Sequence, residues 1–562
     1  MKMSPLCRKF ALTAFCLLSG QAAYAASLFN LQDLVVDLGY GIYQGAYNST
    51  THLNIWKGIR YAAPPVGDLR WRAPAAPVVS SNNIVDAIEF APGCPQAAPA
   101  PFPVIPAPSG SEDCLFLNVY APRRKEQAKL PVLVWVHGGG YGFGNGQQDM
   151  TEIINDNGNS FIAVSIQYRL GAFGFLSSNE IQQNGALNVG ILDMAFALQW
   201  VQDHIDHFGG DKSRVTVAGQ SAGAGGVTLL GIAKNGTLGT SLFRNIIAAS
   251  PYLPPQHKFD ASAPTRQYES FSTSAGCANS TETLSCLRSK DSLTLQTANS
   301  DNQNLASSIL IQAILLQKDS SMARTCLSAT TLTKGPTIDS TDALQAWLRN
   351  AFPSSASTEL EAILAAYPLS NLTKNDTFAT TGLGPVTALD TSSFALGIQQ
   401  RAYNIYAEAT FVCPSYWLSG AFATNNRTAF HYQYSVPGAL HGSDLTAYFG
   451  PATASQPRSF TAVFRQIWGH FITAANPATA KGLTKLTWPA WTANGHSKML
   501  NLNTTGGVPY SAPQLTGTTI TEYTGPGLQN DFSVVDALNW EGNRGARCEL
   551  WRRIASKKAE KN

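Results

Sequence analysis

Gly219-Gln220-Ser221-Ala222-Gly223 sets a serine between two glycines, each two positions away. A sharp turn from strand to helix crowds both flanks of its central residue, so a nucleophile elbow needs small residues at those positions. Ala224-Gly225-Gly226-Val227 then opens a helix whose N-terminal dipole favours an alkoxide and an oxyanion. Upstream stands His137-Gly138-Gly139-Gly140. Glycines let the backbone aim its N–H groups at a developing negative charge where a Cβ would obstruct. A serine hydroxyl is a poor nucleophile at neutral pH and needs a base within hydrogen-bond reach. Nine histidines compete for that role, and His441 stands out in the late loop Gly438-Ala439-Leu440-His441-Gly442-Ser443-Asp444-Leu445. His204 and His207 share a helix at i, i+3 but read as a surface pair, so no metal is expected.

These residues need elements to hold them. Leu130 to Val136 is a continuous apolar, β-branched run that ends at His137, the pattern of a strand buried on both faces. Phe161 to Tyr168 is a second strand. Ile191, Met194, Ala195, Leu198, Val201 and Ile205 recur at helical spacing before Phe208-Gly209-Gly210-Asp211 stops the helix. The strand Arg214 to Ala218 runs directly into the Ser221 turn, and Phe430 to Tyr434 leads toward His441. Strand, helix, strand implies a parallel unit. The order Ser then His is that of an α/β-hydrolase, so the expected fold class is α/β, with a large, mostly parallel central sheet flanked by helices.

The N-terminus reads as an export signal. Lys2, Arg8 and Lys9 precede the mostly apolar Phe10 to Leu18, and Ala23-Tyr24-Ala25 fits a small-x-small cleavage site. Residues 1–25 are therefore expected to be a signal peptide and 26–562 a single domain, with no transmembrane span. Charged residues make up only 13% of the chain and the net charge is +3, which argues against nucleic acid as a partner. Lys557, Lys558 and Lys561 form a short basic tail, expected to be a solvated end. Seven N-x-S/T sequons, at Asn48, Asn235, Asn279, Asn371, Asn375, Asn426 and Asn503, suit a secreted glycoprotein. Without Cys7 and Cys16 of the signal, seven cysteines remain, an odd number for an oxidising compartment.

Several separate stretches resemble the type-B carboxylesterases, the family of cholinesterases and fungal lipases and esterases. Trp56-Lys57-Gly58-Ile59-Arg60-Tyr61-Ala62 with Pro64-Pro65-Val66-Gly67, Ser111-Glu112-Asp113-Cys114-Leu115-Phe116-Leu117-Asn118-Val119, Tyr168-Arg169-Leu170-Gly171 and Phe208-Gly209-Gly210-Asp211 all match family segments. The resemblance implies Ser221 as nucleophile, His441 as general base and the N–H groups of Gly139, Gly140 and Ala222 as oxyanion hole. It implies hydrolysis of a small-molecule or lipid ester through an acyl-enzyme, with no cofactor. It pairs Cys94 with Cys114, Cys277 with Cys286 and Cys413 with Cys548, leaving Cys326 over. It also suggests Ser250 and Asp444 as a buried shell behind the histidine, and Tyr141, Phe143 and Tyr252 as pocket-lining aromatics. Gln220 stands where the family often has Glu.

One part of the family pattern is missing. The third triad member should be an acid between Ser221 and His441, on a segment resembling V-G-x-N-x-x-E-G at a strand end, and no such segment occurs. From about Asn299 to Gly335 the chain matches nothing in the family. Asp319, Asp339, Asp342 and Glu359 are the nearby carboxylates, and each is expected at the surface. The genetic code offers an explanation. Joining the third base of each codon to the first two of the next makes the Met322-Ala323 junction Gly, and the junctions through Gly335 can spell T-N-M-L-V-G-H-N-A-N-E-G. The segment Met322 to Gly335 is therefore expected to be an out-of-frame translation. Without the acid, a catalytically weak or inactive cholinesterase-like binding or adhesion protein is the alternative function.

Overall fold

A computed structural model describes residues 34–79, 83–98, 104–123, 129–253, 257–302, 338–352, 355–369, 397–423, 427–437, 439, 441–483, 485–492, 497–513 and 519–559. The signal segment, Asp319 and the whole of Met322 to Gly335 lie outside the described residues, as does Cys326.

Fifteen strands form four sheets among the described residues. β1 (Val35–Asp37), β2 (Ile42–Gln44) and β5 (Ile84–Asp86) make a small sheet. The central sheet contains β3 (Ala46–Asn48), β4 (Leu53–Arg60), β6 (Phe116–Pro122), β7 (Leu130–Val136), β8 (Ile162–Ile166), β9 (Gly210–Gln220) and β10 (Asn245–Ala249). A three-stranded sheet joins β11 (Tyr432–Tyr434), β12 (Lys498–Thr505) and β15 (Gln529–Asp536), and β13 (Val508–Pro513) with β14 (Thr519–Thr524) is a separate hairpin.

The order of the central sheet is β10-β9-β7-β8-β6-β4-β3. β10, β9, β7 and β8 run parallel, whereas β8–β6, β6–β4 and β4–β3 are antiparallel. The sheet is therefore mixed, not mostly parallel as the sequence led us to expect. Parallel order needs a crossover element between neighbouring strands. The helices Val189–His204 and Ala222–Ile232 flank β9 in the chain, so that half is parallel. The run from β3 to β4 is a short hairpin and carries no such helix.

β7 explains why its sequence is apolar throughout. Val132, Val134 and Val136 enter a core with Ile191, Met194, Leu198 and Val217, while Leu133 and Trp135 enter another with Phe464 and Trp468. Alternate side chains thus meet helices on opposite faces of the sheet. The second face is covered by the helix Arg458–Ala474.

Three disulfides are present among the described residues, Cys94–Cys114, Cys277–Cys286 and Cys413–Cys548. The last ties the helix Cys413–Phe422 to the C-terminal helix Trp540–Ala559. Beside it, Arg547 makes a bidentate pair with Glu408 at 2.7 Å through both Nε and Nη2, and the Tyr367 hydroxyl donates to the same carboxylate at 2.8 Å.

Candidate active site

The C-terminal end of β9 positions Ser221. Its φ of 56° and ψ of −123° lie in a region that L-residues avoid, and the helix Ala222–Ile232 starts at the next residue. Backbone hydrogen bonds hold this conformation. Ser221 N–H donates to Ala249 O at 3.0 Å, and Ser221 O accepts from Gly225 N and Tyr252 N, both at 2.9 Å. The flanking glycines are sterically required: a Cβ on Gly219 would stand 2.4 Å from Gly223 C, and one on Gly223 would stand 2.1 Å from Val136 O.

The turn after β7 lies against the elbow. A Cβ on Gly138 would come within 2.7 Å of Gln220 O and 3.0 Å of Ser221 Cβ. Gly139 and Gly140 take φ of 107° and 59°, values open to glycine at no steric cost. Gly139 O accepts from Gly142 N and Phe143 N, each at 3.0 Å, which closes the turn. His137 anchors its base. Its ring is buried, stacks on Tyr168 with centroids 4.5 Å apart, and donates from Nδ1 to Gly138 O at 2.8 Å. Burial pushes its pKa down to about 4, so it stays neutral.

His441 completes a pair with the serine: its Nε2 lies 2.8 Å from Ser221 Oγ. Burial among protein atoms pushes its pKa down to about 4. The residue nonetheless keeps accessible surface, because its ring borders a partly open pocket of about 680 Å³. The direction of the shift follows from the enclosing protein, and water in the cavity moderates its size.

Several expected residues fall elsewhere. Asp444 is buried and faces the same cavity as His441, but its carboxylate accepts from the Tyr448 hydroxyl. Burial raises its pKa to about 6. Ser250 also lines the cavity, with a φ of 47°, and is exposed to it instead of buried. Tyr141 and Tyr252 are buried packing residues joined by a 3.0 Å bond from Tyr141 Oη to Tyr252 O, whereas Phe143 is half-buried. Asp339 and Asp342 are exposed, and Glu359 caps a helix by accepting from Ala356 N at 3.0 Å. Among the described residues no carboxylate hydrogen-bonds to His441. His204 packs against Trp200 and Tyr40, and no group of metal-ligating side chains occurs among the described residues.

One neighbour has no signal in the sequence, and another, Gln220, shows there only as a departure from the family's Glu. Phe411 covers the His441 ring, with centroids 4.5 Å apart, and stacks on Tyr252 at 5.4 Å. Gln220 sits beneath the glycine turn, its Nε2 buried without a hydrogen-bond partner.

Residues 32–515 match the model of the carboxylesterase family. The chain belongs to that family. It is 29% identical to the secreted triacylglycerol lipase LIP1 of Gibberella zeae over 79% of this chain and 82% of that protein. Against Lipase 2 of Geotrichum candidum it is 37% identical over 282 residues, 44% of this chain and 50% of the lipase. The match thus spans half the length of that relative. Among solved structures, Aspergillus niger EstA superposes with a TM-score of 0.66 at 25% identity, covering 92% of this chain and 98% of EstA. A PNB esterase gives 0.67 at 23% identity over 92% and 100%, a likeness of fold. No helix among the described residues is long and apolar enough to cross a membrane.

Proposed function

We propose that the chain is an exported serine carboxylic-ester hydrolase, with Ser221 as nucleophile and His441 as general base. The observation that carries this reading is the 2.8 Å contact between His441 Nε2 and Ser221 Oγ at a strained elbow. Ser221 Oγ attacks the ester carbonyl carbon while His441 accepts its proton, and collapse of the tetrahedral adduct expels the alcohol, protonated by His441. Water then attacks the acyl-enzyme with His441 as base, releasing the acid and restoring Ser221. The N–H groups of Gly139, Gly140 and Ala222 are the donors for the oxyanion in this reading. Ester chemistry of this kind is consistent with the family and with the lipase and esterase relatives.

A His441 with no carboxylate partner among the described residues favours slow turnover. This is the one observation that supports the weak-enzyme or binding-protein alternative. Hydrolysis of 4-nitrophenyl acetate, together with labelling by a fluorophosphonate probe, separates the two. Labelling of Ser221→Ala at the level of the unaltered chain would overturn the assignment, and complete absence of turnover and labelling would favour the binding role.

A further inference from the structure

The pocket that borders His441 has two unlike ends. Every residue of β10 lines it, with Arg244 before the strand and Ser250 after it. Five residues of strand span about 16 Å. Ser250, His441 and Asp444 line one end, and Arg244 and Arg427 line the other. Arg427 is placed by Phe422, whose ring lies 5.1 Å beneath its guanidinium. Phe422 in turn stands beside the first half of β10, since a Cβ on Gly231 would meet Ile246 Cδ1 at 2.8 Å and Phe422 Cζ at 3.8 Å. Both arginines are exposed, as are Thr240 and Thr428 next to them in the lining, so this end is the mouth. Between the ends the walls are apolar, built from Ile246, Ile247, Phe411, Trp468, Phe471 and Trp488.

An apolar channel with two cations at its mouth selects an amphipathic anion. Asp444 is the one carboxylate among the described lining residues, and it lies at the far end, where it accepts from the Tyr448 hydroxyl. We propose that this pocket binds a medium-chain fatty acid, its carboxylate on Arg244 and Arg427 and its alkyl tail reaching His441. Guanidinium and carboxylate form strong charge-assisted hydrogen bonds, and the apolar walls take the chain out of water. With C–C bonds of about 1.5 Å, roughly twelve carbons extend over the length of β10. The site is separate from the place where an ester is attacked. Ser221 is not among the lining residues. β9 and β10 run parallel and β9 ends at Ser221, so the arginines stand at the opposite edge of the sheet from the elbow.

The tail meets the chemistry only through the flank of the base. His441 engages Ser221 with Nε2 and also borders the pocket. Water in the pocket solvates the imidazolium that forms as the serine proton leaves, and an alkyl tail that displaces this water disfavours that ion. A bound acid therefore slows turnover without obstructing the approach of an ester to Ser221. This consequence rests on the hydrolase reading above, whereas occupancy of the pocket does not. A fatty acid is the class of product that hydrolysis of a lipid ester releases, so the pocket restrains the enzyme as product accumulates.

The test titrates the full chain with 12-bromododecanoate below its micellar concentration and reads tryptophan fluorescence. Trp468 reports on the tail end, because its ring packs 4.4 Å from that of Tyr448, the partner of Asp444. Quenching should saturate, and Ser221→Ala should show the same curve. 2-Bromododecanoate, with its bromine at the mouth, should quench less at saturation. 12-Bromododecanol, which lacks the charge, should bind about tenfold more weakly than the acid. Arg244→Gln with Arg427→Gln should weaken the acid by about the same factor and leave the alcohol unchanged. Dodecanoate should lower kcat on 4-nitrophenyl acetate severalfold with KM unchanged. Quenching that does not saturate, equal affinity for acid and alcohol, or equal quenching from the two bromine positions would overturn the proposal, and these comparisons need no variant should the arginine changes misfold. A rise in KM at constant kcat would put the acid in the ester site and overturn the separate pocket. Absence of turnover with saturable quenching intact would instead overturn the hydrolase reading and leave the fatty-acid site standing.

Discussion

Phe411 lies 4.5 Å, centroid to centroid, from the imidazole of His441 and shields the flank of the ring beside its contact with Ser221. An apolar cover disfavours the imidazolium, and no carboxylate offsets it among the described residues. The base is therefore neutral over the whole physiological range but weak, which lowers the rate at which it takes the serine proton. The expected outcome is a kcat/KM profile for 4-nitrophenyl acetate that rises with an inflection below the ordinary histidine value of 6.5. Phe411→Ala admits water and should raise that inflection toward 6.5. A profile centred near 7 in the unaltered chain would contradict this account of the site.

The sizes of the mutational losses follow from what is already missing. In a complete triad, removal of the serine or histidine costs about 10⁶ in kcat and removal of the acid alone somewhat over 10⁴. A site without the acid, as among the described residues, has lost the larger part already. Ser221→Ala or His441→Gln should then reduce kcat by only about 10²-fold, and the two changes together by no more than either alone. A loss of 10⁵ or more on single substitution would show that an acid is at work in the unaltered protein.

Gly223 tests the elbow by steric means. An alanine there sets a methyl 2.1 Å from Val136 O, a contact with strand backbone that no side-chain rotation relieves. β7 and the Ser221 turn must separate, which carries the glycine turn away from the serine. Gly223→Ala should lower the melting temperature and abolish fluorophosphonate labelling. Gly420→Ala is a control, since a Cβ there meets nothing within 4 Å.

The sequence was most informative where local chemistry and tertiary demand agree. β7 is buried on both faces and therefore apolar at every position, and Gly219 and Gly223 mark a turn that only small residues permit. Strand ends shifted by a few residues: Phe161 to Tyr168 shortens to Ile162–Ile166, and Arg214 to Ala218 lengthens to Gly210–Gln220. Sheet direction was less legible, because β4 and β6 pair across a long chain interval and their own patterns do not encode orientation. Phe411 covering His441 is a contact across 30 residues with no periodic trace. Tyr141 and Tyr252 were placed near the turn by sequence, yet whether an aromatic lines a pocket or packs behind it depends on neighbours such as Phe175, which only the fold supplies.

Glu408 anchors the end of the chain. It is buried, and Arg547, Arg544 and Tyr367 all direct donors at its carboxylate. Removing one member of a buried pair strands the other charge, at a cost of about 3–5 kcal/mol. Glu408→Ala should therefore destabilise the protein by roughly that amount in denaturant melts. The double change with Arg547→Met should recover only part of the loss, because the buried Arg544 still faces the gap.

Asp444 provides the last prediction, which concerns pH and stability. Its folded pKa of about 6 lies above the ordinary aspartate value of 3.8, so between those values the folded state holds a proton that the unfolded state has released. Stability from this group is present at low pH and is lost as pH rises through that window. With the side chain only 5% exposed, the loss amounts to roughly 3 kcal/mol from two units at about 1.4 each. His137 acts in the opposite sense. It is buried and neutral with a pKa near 4, against 6.5 when unfolded, so its contribution grows as pH rises from 4 to 6.5. His431, whose enclosure in protein pushes its pKa down to about 3, acts in the same sense as His137, so the histidines outweigh Asp444 and the stability of the unaltered chain rises with pH across this range. Asp444→Asn removes only the falling component. Relative to the unaltered chain, the variant should therefore gain roughly 3 kcal/mol between pH 4 and pH 8, read from urea melts at the two values. An equal difference between the two proteins at both pH values would show that Asp444 ionises normally in the folded state.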